Sequence, residues 1–158
     1  MSNVPQPVSP ESVGRTVQII AIALIMGILV FGCVAFVIAK EDGQPTLLVS
    51  LLAVGMAVLN TVMRFVVPAI MVNAAKSGLK GATDPDRMAQ LAGLYQSKMI
   101  VGMALIEGAA FFNLVAYIME KQFWSYGVVA FLLAVMAISF PSQGQFESWA
   151  EDMKRDLN

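Results

Sequence analysis

Residues 17–39 read VQIIAIALIMGILVFGCVAFVIA, and this run decides the class of the protein. Apart from Gln18, the run is apolar from end to end. A helix needs about 20 predominantly apolar residues to cross the hydrocarbon core of a bilayer, whereas the apolar part of a secretory signal has only about 7–15. No basic segment precedes the run. The sequence therefore predicts an uncleaved transmembrane helix.

The composition of the whole chain agrees with this assignment. Of its 158 residues, 58% are hydrophobic and 13% are charged, whereas soluble domains have about 45–50% apolar and about 25% charged residues. A net charge of −1 provides no basic surface for nucleic acid. Because the composition is that of a membrane protein, the lipid bilayer is the expected partner. Histidine is absent and there is one cysteine, which argues against acid–base catalysis by histidine and against a Cys/His metal centre. We expect no enzyme activity, no cofactor and no metal.

Three further apolar runs predict an all-α, polytopic membrane protein with four transmembrane helices in residues 16–141. The expected spans are about 17–39, 47–75, 99–119 and 123–140. Residues 1–15, which contain three prolines, are expected to be a disordered lead. In residues 142–158 an apolar stripe predicts an amphipathic cytoplasmic tail at the bilayer interface, with a frayed, solvated tail as the alternative. The stripe consists of Phe146, Trp149, Met153 and Leu157.

The loop between the second and third spans carries helix signals. Gly78 and Gly81 are suited to end one helix, and the sequence Thr83-Asp84-Pro85 provides an N-cap and a first-turn proline for the next. We therefore predict one helix over residues 85–119. Its length of about 50 Å exceeds the hydrocarbon thickness of about 30 Å. The central helical hairpin is thus expected to project into the cytoplasm.

The distribution of basic residues predicts the orientation. With four spans, the two termini and the middle loop share one side of the membrane. That side carries seven basic residues: Arg15, Lys76, Lys80, Arg87, Lys98, Lys154 and Arg155. The two hairpin loops on the other side carry only Lys40 and Lys121. By the positive-inside rule, both termini are expected to be cytoplasmic, in the inner (plasma) membrane of the cell.

Arg64 and Glu107 are charged residues within the predicted spans. A charge at the bilayer centre costs at least about 2.5–3.5 kcal/mol, so each should face protein, water or a partner. Both are expected about 15 Å from the cytoplasmic boundary on consecutive antiparallel helices, which predicts a structural ion pair. The alternative is that Glu107 binds and releases a proton or Na⁺. An apolar environment favours the neutral acid and a neighbouring guanidinium favours the carboxylate, so the two interpretations predict opposite protonation states.

Asparagines and small residues are the expected supporting groups in the spans. Asn60 shares a helix stripe with Arg64, whereas Asn113 turns away from Glu107 and is expected to bond to another helix. Small residues ease close helix contacts in membranes. The candidates for packing are Gly102, Ala104-x-x-x-Gly108 and Ala53-x-x-x-Ala57.

Residues 96–110, QSKMIVGMALIEGAA, resemble the second helix of the rotary ATP synthase c subunit, or proteolipid. In that family a G-x-A-L-x-E-like run carries the ion-binding carboxylate on a lipid-exposed helix face. Gly102, Ala104, Leu105 and Glu107 match that run. The resemblance covers about residues 80–119, and it implies that Glu107 is an ion-binding carboxylate.

Two functional hypotheses remain at this point. The first is a non-catalytic structural or accessory component of a membrane assembly, held together by a buried Arg64–Glu107 pair and joined to protein partners or to further copies of itself. The second is a proteolipid-like subunit that translocates protons or Na⁺ through Glu107.

Overall fold

The computed structural model describes residues 10–39, 46–79 and 84–157, and this part of the chain is helical without strands. It contains five helices: α1 (Pro10–Ile38), α2 (Leu48–Leu79), α3 (Asp84–Glu120), α4 (Trp124–Ile138) and α5 (Gln143–Leu157). The predicted all-α fold is confirmed. The bounds of α3 agree closely with the single helix predicted over residues 85–119.

Three of the helices are long and apolar enough to cross a membrane, over Ser12–Ile38, Leu48–Leu79 and Asp86–Glu120. The fourth predicted span, 123–140, is a shorter helix. With 15 residues, α4 has a length of about 22 Å. It ends early because Phe140 precedes Pro141, and a residue before proline is disfavoured in the helical conformation.

The first helix begins earlier than predicted. Residues 10–15 were expected to belong to a disordered lead, but α1 begins at Pro10, and proline is well suited to the first turn of a helix. Val13 is only 1% exposed because it packs into a hydrophobic cluster with α5. The rest of the predicted lead, residues 1–9, lies outside the described residues. Gly81 and Thr83, the predicted capping residues of the middle loop, also lie outside them.

Helix α3 is the central helix, because it packs against each of the other four. Helix α4 returns along the bundle antiparallel to α3. Near its start, the Tyr126 hydroxyl donates a hydrogen bond of 2.8 Å to the carbonyl oxygen of Gly32 on α1. Beyond its end, the Gln18 side-chain amide donates a hydrogen bond of 2.9 Å to the carbonyl oxygen of Pro141. These two contacts anchor both ends of α4 to α1.

Apart from the hydrophobic core between the long helices, a separate hydrophobic cluster lies where α5 meets the start of α1, the end of α2 and the start of α3. We call this cluster the head; it consists of Val13, Leu79, Leu91, Ala92, Tyr95, Phe146, Ala150 and Met153. The predicted apolar stripe of the tail is present, since Phe146 and Met153 are 2% and 5% exposed. Its partner differs from the prediction. The stripe packs against the helical hairpin instead of a lipid surface, because α2 and α3 carry apolar residues beyond the predicted spans.

Truncation of Phe146 tests the packing of the head. Its ring meets Tyr95 edge-on, with ring centroids 5.2 Å apart. We expect Phe146→Ala to lower the free energy of unfolding in detergent by about 3–5 kcal/mol, since it leaves a cavity in the cluster. Early proteolytic release of α5 should accompany the loss.

The matched control is Phe131→Ala, because Phe131 is 61% exposed on α4. This control is expected to change stability little. Equal stability of the two variants would contradict the docked position of α5.

Candidate functional site

Arg64 lies opposite Gly102 of α3. A methyl group at Gly102 would lie 3.5 Å from the Cγ atom of Arg64, an ordinary van der Waals distance, so the arginine stem packs against this part of α3. The guanidinium Nη1 donates a hydrogen bond of 3.5 Å to the carbonyl oxygen of Val135 on α4. Arg64 therefore extends across α3 towards α4.

Glu107 faces a different neighbour. A methyl group at Gly27 of α1 would lie 3.5 Å from the Oε1 atom of Glu107. Glu107 follows Gly102 by five residues, which corresponds to about 140° around the helix axis and about 7.5 Å along it. Among the described residues, no ion pair within 4.0 Å joins Arg64 to Glu107. The predicted pair is thus not formed, because the two side chains differ in both depth and direction.

Both asparagines connect α2 to α3. The Asn60 side-chain amide donates a hydrogen bond of 3.0 Å to the carbonyl oxygen of Leu105. The buried Asn113 amide donates a bond of 3.1 Å to the carbonyl oxygen of Ala53. Asn113 was expected to bond to a helix other than α2. It bonds to α2 because it lies about 20° around α3 from Gly102, on the same flank.

The small residues divide into two groups. Gly102 is buried against Arg64, and Ala53 and Ala57 of α2 are buried in the bundle. Ala104 and Gly108 are exposed, and a methyl group at Gly108 would meet nothing within 4 Å. The packing predicted for Ala104 and Gly108 is therefore not made within the chain, because they lie on the outer face of α3.

Glu120 is a buried carboxylate whose contacts were not predicted from the sequence. This last residue of α3 is 3% exposed. Its Oε1 atom accepts hydrogen bonds from the Val49 amide (2.8 Å) and the Thr46 hydroxyl (3.1 Å). Its Oε2 atom accepts one from the Ser50 amide (2.9 Å). The carboxylate thus caps the start of α2, where unpaired N–H groups and the helix dipole favour negative charge.

The contacts of Asn60, Asn113 and Glu120 form one line between α2 and α3, which we call the polar seam. In lipid, polar groups must find partners within the protein, and the donor groups of Asn60 and Asn113 and the carboxylate of Glu120 find theirs on α2 or α3 or just before α2. Among the described residues, no three His, Cys, Asp or Glu side chains are grouped to hold a metal ion. The polar seam therefore has a structural role, because its hydrogen bonds join α2 to α3.

Comparison with known proteins gave no match: no family model, no curated protein and no solved structure matches this chain. The resemblance of residues 96–110 to the ATP synthase c subunit stays a prediction.

Removal of the Glu120 carboxylate tests the cap. We expect Glu120→Ala to lower the free energy of unfolding in detergent by about 3 kcal/mol, because it leaves the Val49 and Ser50 amides and the Thr46 hydroxyl without their acceptor. Glu120→Gln keeps one acceptor oxygen and should lose less. The control Glu147→Ala removes an exposed carboxylate from α5 and should be near neutral. A Glu120→Ala protein as stable as this control would disprove the cap.

Proposed function

We propose that this chain is a non-catalytic integral membrane protein that serves as a structural or accessory component of a membrane assembly. The observation that carries the proposal is the head. Large apolar residues are exposed on α2 as far as Ile70, and on α1 from Ile19 onward. Val13 and Leu79, two core residues of the head, lie beyond these limits. From Ile70, α2 continues for about 14 Å to Leu79. The head therefore extends beyond the exposed apolar surface of the spans, where a protein partner can reach it.

The polar seam supports this role because it fixes α2 against α3 in the helical hairpin that carries the head at its other end. Hydrogen bonds at Asn60, Asn113 and Glu120 fix the first part of α2, residues 49–60, against the last part of α3, residues 105–120. A hairpin fixed in this way supports the head rigidly, which is what a scaffold requires. The Asn60 and Asn113 amides and the Glu120 carboxylate each bond to backbone atoms of the neighbouring helix and hold it in place.

The topology that fits this role has four spans, with both termini and the head in the cytoplasm. The fourth span of this topology is α4, whose contacts at Gly32 and near Gln18 keep it beside the apolar part of α1 for about 21 Å. Basic residues near the head, such as Lys76 and Arg87, favour the cytoplasmic side of the plasma membrane. The assembly partner is another membrane protein or a second copy of this chain.

Photo-crosslinking in native membranes tests the assembly. A photoreactive residue is introduced in place of Gln90 on α3 or Glu147 on α5, both exposed at the head, and in place of the lipid-facing Val62 on α2 as the control. We expect a protein adduct of one defined mass from the head positions and lipid adducts from Val62. A mass twice that of the chain would identify a second copy. The absence of any protein adduct at the head would contradict the proposal.

The second candidate function is the translocation of protons or Na⁺ by Glu107. One observation favours it: within the described part of the chain, the Glu107 carboxylate makes no ion pair or hydrogen bond and is partly exposed. It also lies beside Gly27, midway along the apolar length of α1. A carboxylate that no guanidinium holds ionised is available to take up and release an ion.

Carbodiimide labelling tests the absence of the Arg64–Glu107 pair, and ion flux into vesicles decides between the candidates. Apolar carbodiimides attack protonated carboxyl groups, and we expect native and Arg64→Ala protein to be labelled at Glu107 to the same extent, because no pair is broken. In vesicles with an imposed pH gradient, the second candidate predicts flux that Glu107→Gln abolishes and Glu147→Gln retains. The absence of flux from the native protein, alone and with its partners, would exclude translocation. Labelling that requires Arg64→Ala would show that the two groups are paired after all.

A further inference from the structure

A cleft of about 490 Å³ lies between α2, α3 and α5. Its volume falls within the range of about 300–1,000 Å³ that is typical of small-molecule sites. We call it the basic cleft, because its lining includes Arg64 and Lys98 but no carboxylate. The other lining residues that matter here are Phe65, Met99 and Trp149.

Neither cation of the basic cleft has a counter-ion in the described part of the chain. Arg64 makes one long hydrogen bond, 3.5 Å, to the carbonyl oxygen of Val135. The Lys98 ammonium lies 5.2 Å from the ring centroid of Trp149. Two cations that line one cavity without a carboxylate raise its electrostatic potential. The cleft therefore favours an anion.

The position of the basic cleft indicates the kind of anion. Lys98 and Trp149 lie beside the head, close to the end of the lipid-facing surface of α2 at Ile70. Lysine and tryptophan are favoured at this level of a bilayer because they combine an apolar body with a polar end. At the other end of the cleft, Phe65 is 69% exposed on the lipid-facing side of α2. A ligand with an anionic head and apolar chains would match both ends.

We propose that the basic cleft binds the headgroup of an anionic membrane phospholipid. Arg64 and Lys98 contact the phosphate oxygens, Trp149 covers the headgroup from α5, and the acyl chains leave the cleft along Phe65 into the bilayer. The Arg64 stem packs against α3 at Gly102. This site is independent of the assembly role and of Glu107.

Fluorescence quenching by brominated lipids tests the site. The chain has two tryptophans, so Trp124→Phe leaves Trp149 as the reporter in the full-length protein. The protein is reconstituted with brominated phosphatidylglycerol or, at the same mole fraction, brominated phosphatidylcholine. Each cation near an anionic lipid contributes about 1 kcal/mol. We expect the anionic lipid to associate with Trp149 about tenfold to thirtyfold more strongly than the zwitterionic one.

Matched variants assign this preference to the cleft. Arg64→Gln with Lys98→Gln should abolish it, whereas Lys154→Gln with Arg155→Gln removes two positive charges from α5 outside the cleft and should retain it. The charge-preserving pair Arg64→Lys with Lys98→Arg should also retain it. If the double glutamine variant does not fold, Lys98→Gln alone should lower the preference about fivefold.

Three results would overturn the proposal. The first is equal quenching by the two lipids, and the second is a preference that survives the removal of both cations. The third concerns a soluble anion. If inorganic phosphate changes Trp149 emission in phosphatidylcholine vesicles while phosphatidylglycerol shows no preference, the ligand is a free anion and the assignment to a lipid is wrong.

Discussion

The hydrogen-bonded register of α2 against α3 is the constraint on which the remaining structure depends. Between helices in a bilayer, apolar contacts gain little over contacts with lipid chains, so polar bonds and close packing must fix the alignment. The bonds at Asn60, Asn113 and Glu120 fix it here. This register places Arg64 opposite Gly102, which creates one end of the basic cleft. The same register turns Glu107 towards α1. Arg64 and Glu107, the two charged residues of the spans, therefore lie at different parts of the bundle surface.

The helices could be predicted from the sequence because each depends on neighbouring residues. Apolar runs of sufficient length defined the first three spans, and the signals around Pro85 placed the start of α3 almost correctly. The Arg64–Glu107 pair required more information than a sequence contains. Depths counted from predicted helix ends were in error because α2 continues to Leu79. The direction of each side chain depends on the rotation of its helix, which the apolar pattern did not define.

Partners of known side chains were equally difficult to predict. The stripe that contains Phe146 and Met153 correctly indicated an amphipathic helix, but such a stripe is suited to a lipid interface or to a protein surface. The choice between lipid and protein depends on whether the rest of the chain offers an apolar surface to α5. Tyr95 and Leu91 of α3 form part of that surface, and their arrangement exists only in the folded protein. Glu120 was missed for a related reason, since nothing near it in sequence indicates that its partners begin 74 residues earlier, at Thr46.

The Glu120 cap has a consequence for biosynthesis. Helix α2 is made first, and its capping carboxylate is the last residue of α3, which leaves the ribosome only after the whole hairpin has been synthesised. An α2 helix released alone into lipid would leave the Val49 and Ser50 amides without this acceptor, and the loss of the acceptor costs about 3 kcal/mol. We therefore expect the two helices to enter the bilayer together as a hairpin. The unit of membrane insertion is then the α2–α3 pair, although each of its helices is apolar enough to cross alone.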